Sequence, residues 1–550
     1  MLSARPVPKK FNDAERSLPP PLGTHPASRR KAPVSDAVPP TPSAPPEVAG
    51  PPGLRISSAR GRWVVTATVL GSGMAALDAT VVGIALPAIG RDFHAGVTSL
   101  QWVVDAYTLT LAGLLLLGGT LGDSYGRRRM FMTGTVWFAL ASLLCGLAPN
   151  VAVLIAARAL QGVGGALLTP GSLAILQASF AKDDRSAAIG AWSGLGGVAT
   201  AAGPFLGGYL IGAVSWRLVF FINLPLAVAA LVISARHVPE TRSPGGVPKL
   251  DVKGAVCISG SLAGITYGLI AASSDGWGSV SVLVPLAVGV LLGGLFILAE
   301  AKEAQPMLPL GVFASRQFSA ANAVTFVVYA ALGGVLFLVP TVLQVVRGYT
   351  PLQAGTSLLP VTVIMLVLSA RSGALAAKIG PRLQMSVGPV VIAGSLVLFT
   401  RIGGAGDYLS AVLPAVLLFG FGVAINVAPL TATALAAAPA DHAGVASAVN
   451  NDVARAAGLI AVAVLPALAG ITGQSYLHPA ALAHGFKMAA MIAAVFCAAG
   501  GVLAAATIRN PPRPAQAKPS PRESSCGLEA PPLRTLEPTA PTITEVGDKR

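Results

Sequence analysis

The sequence predicts an all-α membrane protein whose chain crosses a bilayer fourteen times. Of its 550 residues, 53% are hydrophobic and only 11% charged, and the mean hydropathy is +0.69. A soluble chain of this length needs far more charged surface. Apolar stretches recur from Trp63 to Ile508, and a bilayer-spanning helix takes roughly 20 such residues. Abundant Gly and Ala suit helices that approach backbone to backbone.

Taken in chain order, residues 1–60 are rich in Pro, Ser, Ala and basic residues, as in PPLGTHPASRRKAPVSDAVPP. Such a stretch buries too little apolar surface to offset its ordering entropy, and it is expected to be a disordered cytoplasmic tail. It lacks the apolar h-region of a cleavable signal. The spans then follow at approximately 63–90, 99–121, 129–148, 151–178, 186–213, 218–236, 252–272, 280–299, 318–343, 352–376, 384–401, 408–436, 444–470 and 485–508. Their lengths favour helices over buried strands. Residues 509–550 read as a second disordered tail.

Loop charges set the topology. With the N-terminus inside, the inner loops carry Arg127, Arg128, Arg129, Lys182, Arg185, Arg236, Arg242, Lys249, Lys253, Lys302, Arg316, Arg371, Lys378 and Arg382. The outer loops carry Arg91, Arg217, Arg347, Arg401 and Lys487. Fourteen against five places both termini in the cytoplasm. A weak repeat accompanies this pattern: GTLGDSYGRRR after the second span and GALAAKIGPR after the tenth. Setting aside spans seven and eight leaves six plus six, with these loops in matching places, as in two-bundle transporters. The expected division is therefore 61–236, an N-terminal six-helix bundle; 237–317, a linker with two inserted spans; and 318–508, a C-terminal six-helix bundle.

The same composition excludes other classes. The net charge of +15 is concentrated in tails and inner loops, which suits anionic lipid rather than nucleic acid. Cys145, Cys257, Cys497 and Cys526 show no paired spacing, and no metal site or cofactor is implied. There is no Gly-x4-Gly-Lys-Ser/Thr loop, which leaves an ion gradient as the expected energy source. No nucleophile–base constellation suggests an enzyme.

Ionisable residues inside spans are expensive and read as functional by default. Asp78 lies about 22 Å from the inner end of span one, at 1.5 Å per residue. Asp105 and Arg158 lie about 9 and 10 Å below the outer ends of spans two and four. Two carboxylates and a guanidinium at one depth can share a proton; the plainer reading is that Arg158 neutralises one aspartate. Asp452 and Arg455, three apart, are expected to neutralise each other. Asn426, Asn450 and Asn451 either line a cavity or bond between helices.

Several motifs appear in a fixed order. The loop after span two contains Gly119, Leu121, Gly122, Asp123, Gly126, Arg127 and Arg128. Span one carries Leu77-Asp78-Ala-Thr80 through Leu86-Pro87, and span four Arg158-Ala-Leu-Gln161-Gly162. Span five carries Gly203-Pro204-Phe-Leu-Gly207-Gly208. Trp216-Arg217 through Asn223-Leu-Pro225 and Gly444-Val-Ala-Ser447-Ala-Val-Asn450-Asn451 complete the set.

From Trp63 to Ile508 this pattern resembles the major facilitator superfamily, specifically its fourteen-helix drug:proton antiporter branch. The resemblance departs at Ser124, Gly83 and Ala199, where a basic residue, Asn and Gly are usual. It implies that the loop from Gly119 to Arg128 latches the cytoplasmic gate and that the span-five glycines form the antiporter motif. It further implies a proton-coupled antiporter in the inner membrane, expected to be monomeric, exporting small hydrophobic or cationic drug-like molecules by alternating access, with Arg158 in a coupling role; the intramembrane charges themselves place the proton first on Asp78, shared with Asp105. A dedicated exporter of one antibiotic, lipid or siderophore, a proton-coupled importer, and a non-transporting sensor remain as alternatives.

Overall fold

The computed structural model describes residues 53–242, 250–303, 306–404, 406–438 and 443–510. Fourteen helices long and apolar enough to cross a membrane occur among them. They are α1 (Ala59–Phe93), α2 (Val97–Tyr125), α3 (Arg127–Gly146), α4 (Val151–Ser179), α5 (Lys182–Ala213), α6 (Leu218–His237) and α7 (Val252–Asp275). The remainder are α8 (Val280–Lys302), α9 (Arg316–Val345), α10 (Pro351–Ile379), α11 (Pro381–Gly403), α12 (Tyr408–Ala436), α13 (Ala443–Leu468) and α14 (Pro479–Thr507). The chain is a multi-pass, all-helical membrane protein.

Local chemistry explains where these helices start and break. Ser58, Asn150 and Asp251 cap α1, α4 and α7 by accepting from Gly61, Val153 and Gly254, satisfying amides the first turn leaves free. Thr350 and Gln353 form a full capping box on α10. That helix breaks at Leu358, just before Pro360 removes an N–H from the next turn. A π turn over Tyr408–Val412 precedes Pro414 in α12 for the same reason.

In the first bundle α2 and α3 pack on α4, and α1 packs on α5 and α6. In the second, α11 packs on α12 and α14, while α9 packs on α13 and α14. The inserted pair α7–α8 lies along the seam where α7 meets both α2 and α13. Trp102 of α2 lies 6.0 Å from Tyr267 of α7, ring to ring.

The internal repeat is visible in atomic detail. Gly126 and Gly380 both hold positive φ, 110° and 88°, a region that favours glycine. After Gly126, the Arg128 amide donates to Glu240 Oε1 (3.1 Å), and after Gly380 the Arg382 amide donates to Asn510 Oδ1 (3.0 Å). Glu240 follows α6 and Asn510 follows α14, so in each bundle the segment leaving the sixth helix caps the third. Each arginine side chain also donates to a backbone carbonyl, Val238 or Ala505, near the end of that sixth helix.

Two predicted boundaries shift. Most of the expected tails fall outside the described residues, but residues 53–58 are held against the α4–α5 turn. Leu54 exchanges backbone bonds with Ser179 and Ala181, and the Ile56 amide donates to Asp184. The N-terminal tail thus ends before residue 60. Likewise Val238–Thr241 is bound to α3 rather than serving as free linker.

Five hydrogen bonds join the two bundles among the described residues, and all lie toward one end. Gln101 donates to the Val462 and Ala463 carbonyls, Gln344 to that of Ile84, and Tyr476 to that of Ala95. The Val97 amide donates to the Gly473 carbonyl. At the opposite end α5 stands clear: a Cβ at Gly190, Gly194, Gly196 or Gly197 would meet nothing within 4 Å. The molecule is therefore closed at the end carrying the α1–α2 and α13–α14 loops, and parted at the other.

Candidate functional site

Five helices of the first bundle converge on one buried polar cluster. Asp78 of α1 is 0% exposed and Arg158 of α4 is 1% exposed, and Arg158 Nη1 lies 2.5 Å from Asp78 Oδ2. Gln161, one turn beyond Arg158, donates to Asp78 Oδ1 at 2.9 Å, and Asn223, at the break in α6, donates to the same oxygen at 3.1 Å. Ser142 of α3 receives hydrogen bonds from both amides and donates to the Phe220 carbonyl. From α2, the Val103 carbonyl accepts from Arg158 Nε, and the Tyr107 ring lies 4.3 Å from the guanidinium carbon.

A buried ion pair of this kind is held by its surrounding donors and acceptors as much as by its own attraction. Asp78 is thus fully engaged: one cation and two amides occupy its oxygens. Gln161 and Asn223 entered from the sequence only as members of motifs and not as partners of Asp78, although i,i+3 spacing already places Gln161 beside Arg158 on one face.

Asp105 stands apart. It is 0% exposed, and neither carboxylate oxygen has a hydrogen-bond partner among the described residues. Similar depth allowed the three groups to share a proton or Arg158 to neutralise one aspartate; among the described residues Arg158 pairs with Asp78 and not with Asp105. Depth fixes height in the bilayer but not azimuth around the bundle, and azimuth decides the partner. Asp105 lies one turn beyond Gln101, on the helix that meets α13.

The pairing expected of Asp452 with Arg455 is not formed: no contact within 4.0 Å joins them, and Asp452 Oδ1 has no partner among the described residues. Spacing of three places side chains on a face without forcing their tips together. Of the asparagines offered as cavity polar groups, Asn450 bonds between helices, donating to Asn322 (3.1 Å) and Thr325 (2.9 Å) of α9. Asn426 is buried against Gly388 of α11, and its amide has no partner among the described residues. Asn451 is exposed and donates to its own helix at Ser447.

In the gate loop, Arg127 binds Asp123 Oδ1 at 2.7 Å and reaches the Ala174 carbonyl of α4 at 3.3 Å. Gly119 faces Pro170 of α4. At Gly126 a Cβ would lie 2.6 Å from Glu240, so the positive φ and the close approach both select glycine. Every one of these contacts stays within the first bundle.

The span-five motif does join the bundles. Gly203 and Gly207 pack against Thr80 and Val81 of α1. A Cβ at Gly208 would lie 2.5 Å from the Pro351 carbonyl oxygen and 2.7 Å from Leu352 Cα of α10. Gly355 of α10 packs reciprocally on the Pro204 carbonyl. Backbone-to-backbone packing of this type leaves no room for a side chain. Gly208→Val is therefore expected to abolish transport while the protein still inserts and stays monodisperse. A Gly208→Val protein that transports at the wild-type rate would show that this closure is dispensable.

Comparison with known proteins follows the same lines. Residues 68–463 match the model of the Major Facilitator Superfamily. The chain is 37% identical over 415 residues to the Tetracenomycin C resistance and export protein of Streptomyces glaucescens, spanning 75% of this chain and 77% of that one. It is 36% identical over 437 residues to a Puromycin resistance protein of Streptomyces alboniger, covering 78% and 85%. Among solved structures, a peptide transporter POT in complex with sulfate superposes with a TM-score of 0.59 at 15% identity, over 83% of this chain and 98% of that one. A bacterial homologue of the lysosomal transporter Spinster, inward-facing and unoccupied, gives 0.58 at 16% identity over 82% and 98%. At those identities the structures share the fold alone. The chain is a transporter, not an enzyme, and belongs to the major facilitator superfamily.

Proposed function

We propose that this protein exports drug-like or antibiotic-like small molecules across the cytoplasmic membrane in exchange for protons, with both termini inside. The observation that carries the coupling is Asp105: a buried carboxyl with no cation and no donor among the described residues, beside the seam where the bundles meet. A group so placed exchanges its proton without first breaking a salt bridge. Asp78, by contrast, holds Arg158 and keeps the first bundle's polar core assembled. The carrier role therefore moves from Asp78, the first choice on sequence grounds, to Asp105.

With the termini inside, the closed end faces outward and the parted end faces the cytoplasm, the state that loads a substrate for export. The direction and substrate class rest on the relatives, which include the tetracenomycin C export protein and a puromycin resistance protein. Relatives named for single antibiotics also favour a second reading, a dedicated exporter of one compound. Efflux of a fluorescent lipophilic cation and of a polycyclic antibiotic from expressing cells, with and without a protonophore, tests both. Protonophore-sensitive efflux of both supports broad export, and efflux of the antibiotic alone supports the dedicated form. Retention of both at good expression, or efflux indifferent to the protonophore, overturns the proposal.

A further inference from the structure

The α13–α14 loop reaches across the closed end and inserts between α1 and α2. Tyr476 is only 2% exposed and donates to the Ala95 carbonyl at 2.7 Å, and Gly90 is the point of α1 on which its hydroxyl rests. Burial pushes its phenol above the ordinary range, so the hydroxyl stays a donor. Three residues earlier, the Gly473 carbonyl accepts from the Val97 amide at 2.9 Å.

Beneath this layer lies a second. Pro466 has no N–H, so the Val462 carbonyl of α13 loses its helical donor. Gln101 of α2 supplies the missing bond at 2.6 Å and also reaches Ala463 at 3.0 Å.

We infer that Tyr476 and Gln101 are positioning residues forming a releasable outer latch, which holds the two bundles together at the closed end until the carrier turns. The inference rests on the alternating-access reading above. All four bonds of the latch are neutral, and all are accepted by backbone carbonyls. When the ends part, the Ala95, Gly473 and Val462 carbonyls and the Val97 amide meet water, which satisfies each of them.

The test uses a cysteine at Gly83, where a Cβ meets nothing within 4 Å and which lies one residue from the Gln344 contact at Ile84. An impermeant maleimide is applied from outside, and labelling is measured against the same protein without the Gly83→Cys change. Tyr476→Phe, which loses one neutral hydrogen bond, is expected to raise the labelling rate roughly fivefold, and Gln101→Leu, which loses two, by at least that factor. Adding Pro466→Ala to Gln101→Leu returns an N–H to the Val462 carbonyl and is expected to bring labelling back toward wild type. General loosening would not be rescued in that way. Unchanged labelling in the Tyr476→Phe/Gln101→Leu double variant, with monodispersity retained, overturns the latch. Labelling requires neither efflux nor a proton gradient, so the latch stands or falls separately from the export proposal.

Discussion

Asp105→Asn is expected to abolish protonophore-sensitive efflux while leaving thermal stability close to that of the wild type. The carboxamide has nearly the shape of the carboxyl group, and no hydrogen bond is lost, because neither oxygen has a partner among the described residues. What disappears is the capacity to take and release a proton. A carrier fixed in the neutral form still turns with substrate, so downhill exchange of labelled for unlabelled compound should persist. Uphill efflux assayed in vesicles with an imposed pH gradient, beside that exchange assay, separates the two. Wild-type uphill rates in the Asn variant would remove Asp105 from the coupling step.

The second large effect is on stability. Asp78→Asn leaves the Arg158 guanidinium, 1% exposed, without its counter-charge, and loss of one partner from a buried pair costs about 3–5 kcal/mol. Arg158→Met should be comparably damaging, since Asp78 would then keep only the amides of Gln161 and Asn223. Replacing both, as Asp78→Leu with Arg158→Met, should recover much of the loss, because two apolar side chains need no compensation. Thermal unfolding of the purified protein in detergent, across wild type, Asp78→Leu, Arg158→Met and the Asp78→Leu/Arg158→Met double variant, measures the coupling directly. Equal stability of wild type and Asp78→Asn would mean that the pair contributes nothing to holding α1 against α4. Loss of efflux in Asp78→Asn alone consequently cannot identify a proton site, whereas loss in Asp105→Asn, with stability intact, can.

Much of the molecule was legible in the residues. Hydropathy alone located the fourteen spans, since a lipid-spanning helix must be apolar over a fixed length whatever its neighbours. The Gly119–Arg128 and Gly373–Arg382 segments announced the repeat because both need a glycine at positive φ ahead of a helix N-terminus. The residue that completes each of those turns was not legible. Glu240 and Asn510 lie more than a hundred residues away from Arg128 and Arg382, and one is acidic where the other is an amide.

The sequence by itself determined the class of protein, the number of crossings, and the list of charges stranded in the membrane. These follow from transfer free energies that each segment meets on its own. Only the tertiary structure decided which charges meet. Asp78, Asp105 and Arg158 share a depth, yet helix rotation joins the first to the third and leaves the second alone. It decided equally that Asn450 bonds between helices while Asn426 bonds with nothing among the described residues. It also showed that a carbonyl freed by Pro466 is the one Gln101 reaches. Pair formation depends on the relative rotation of packed helices, a quantity that no single span encodes and that packing of the whole bundle sets.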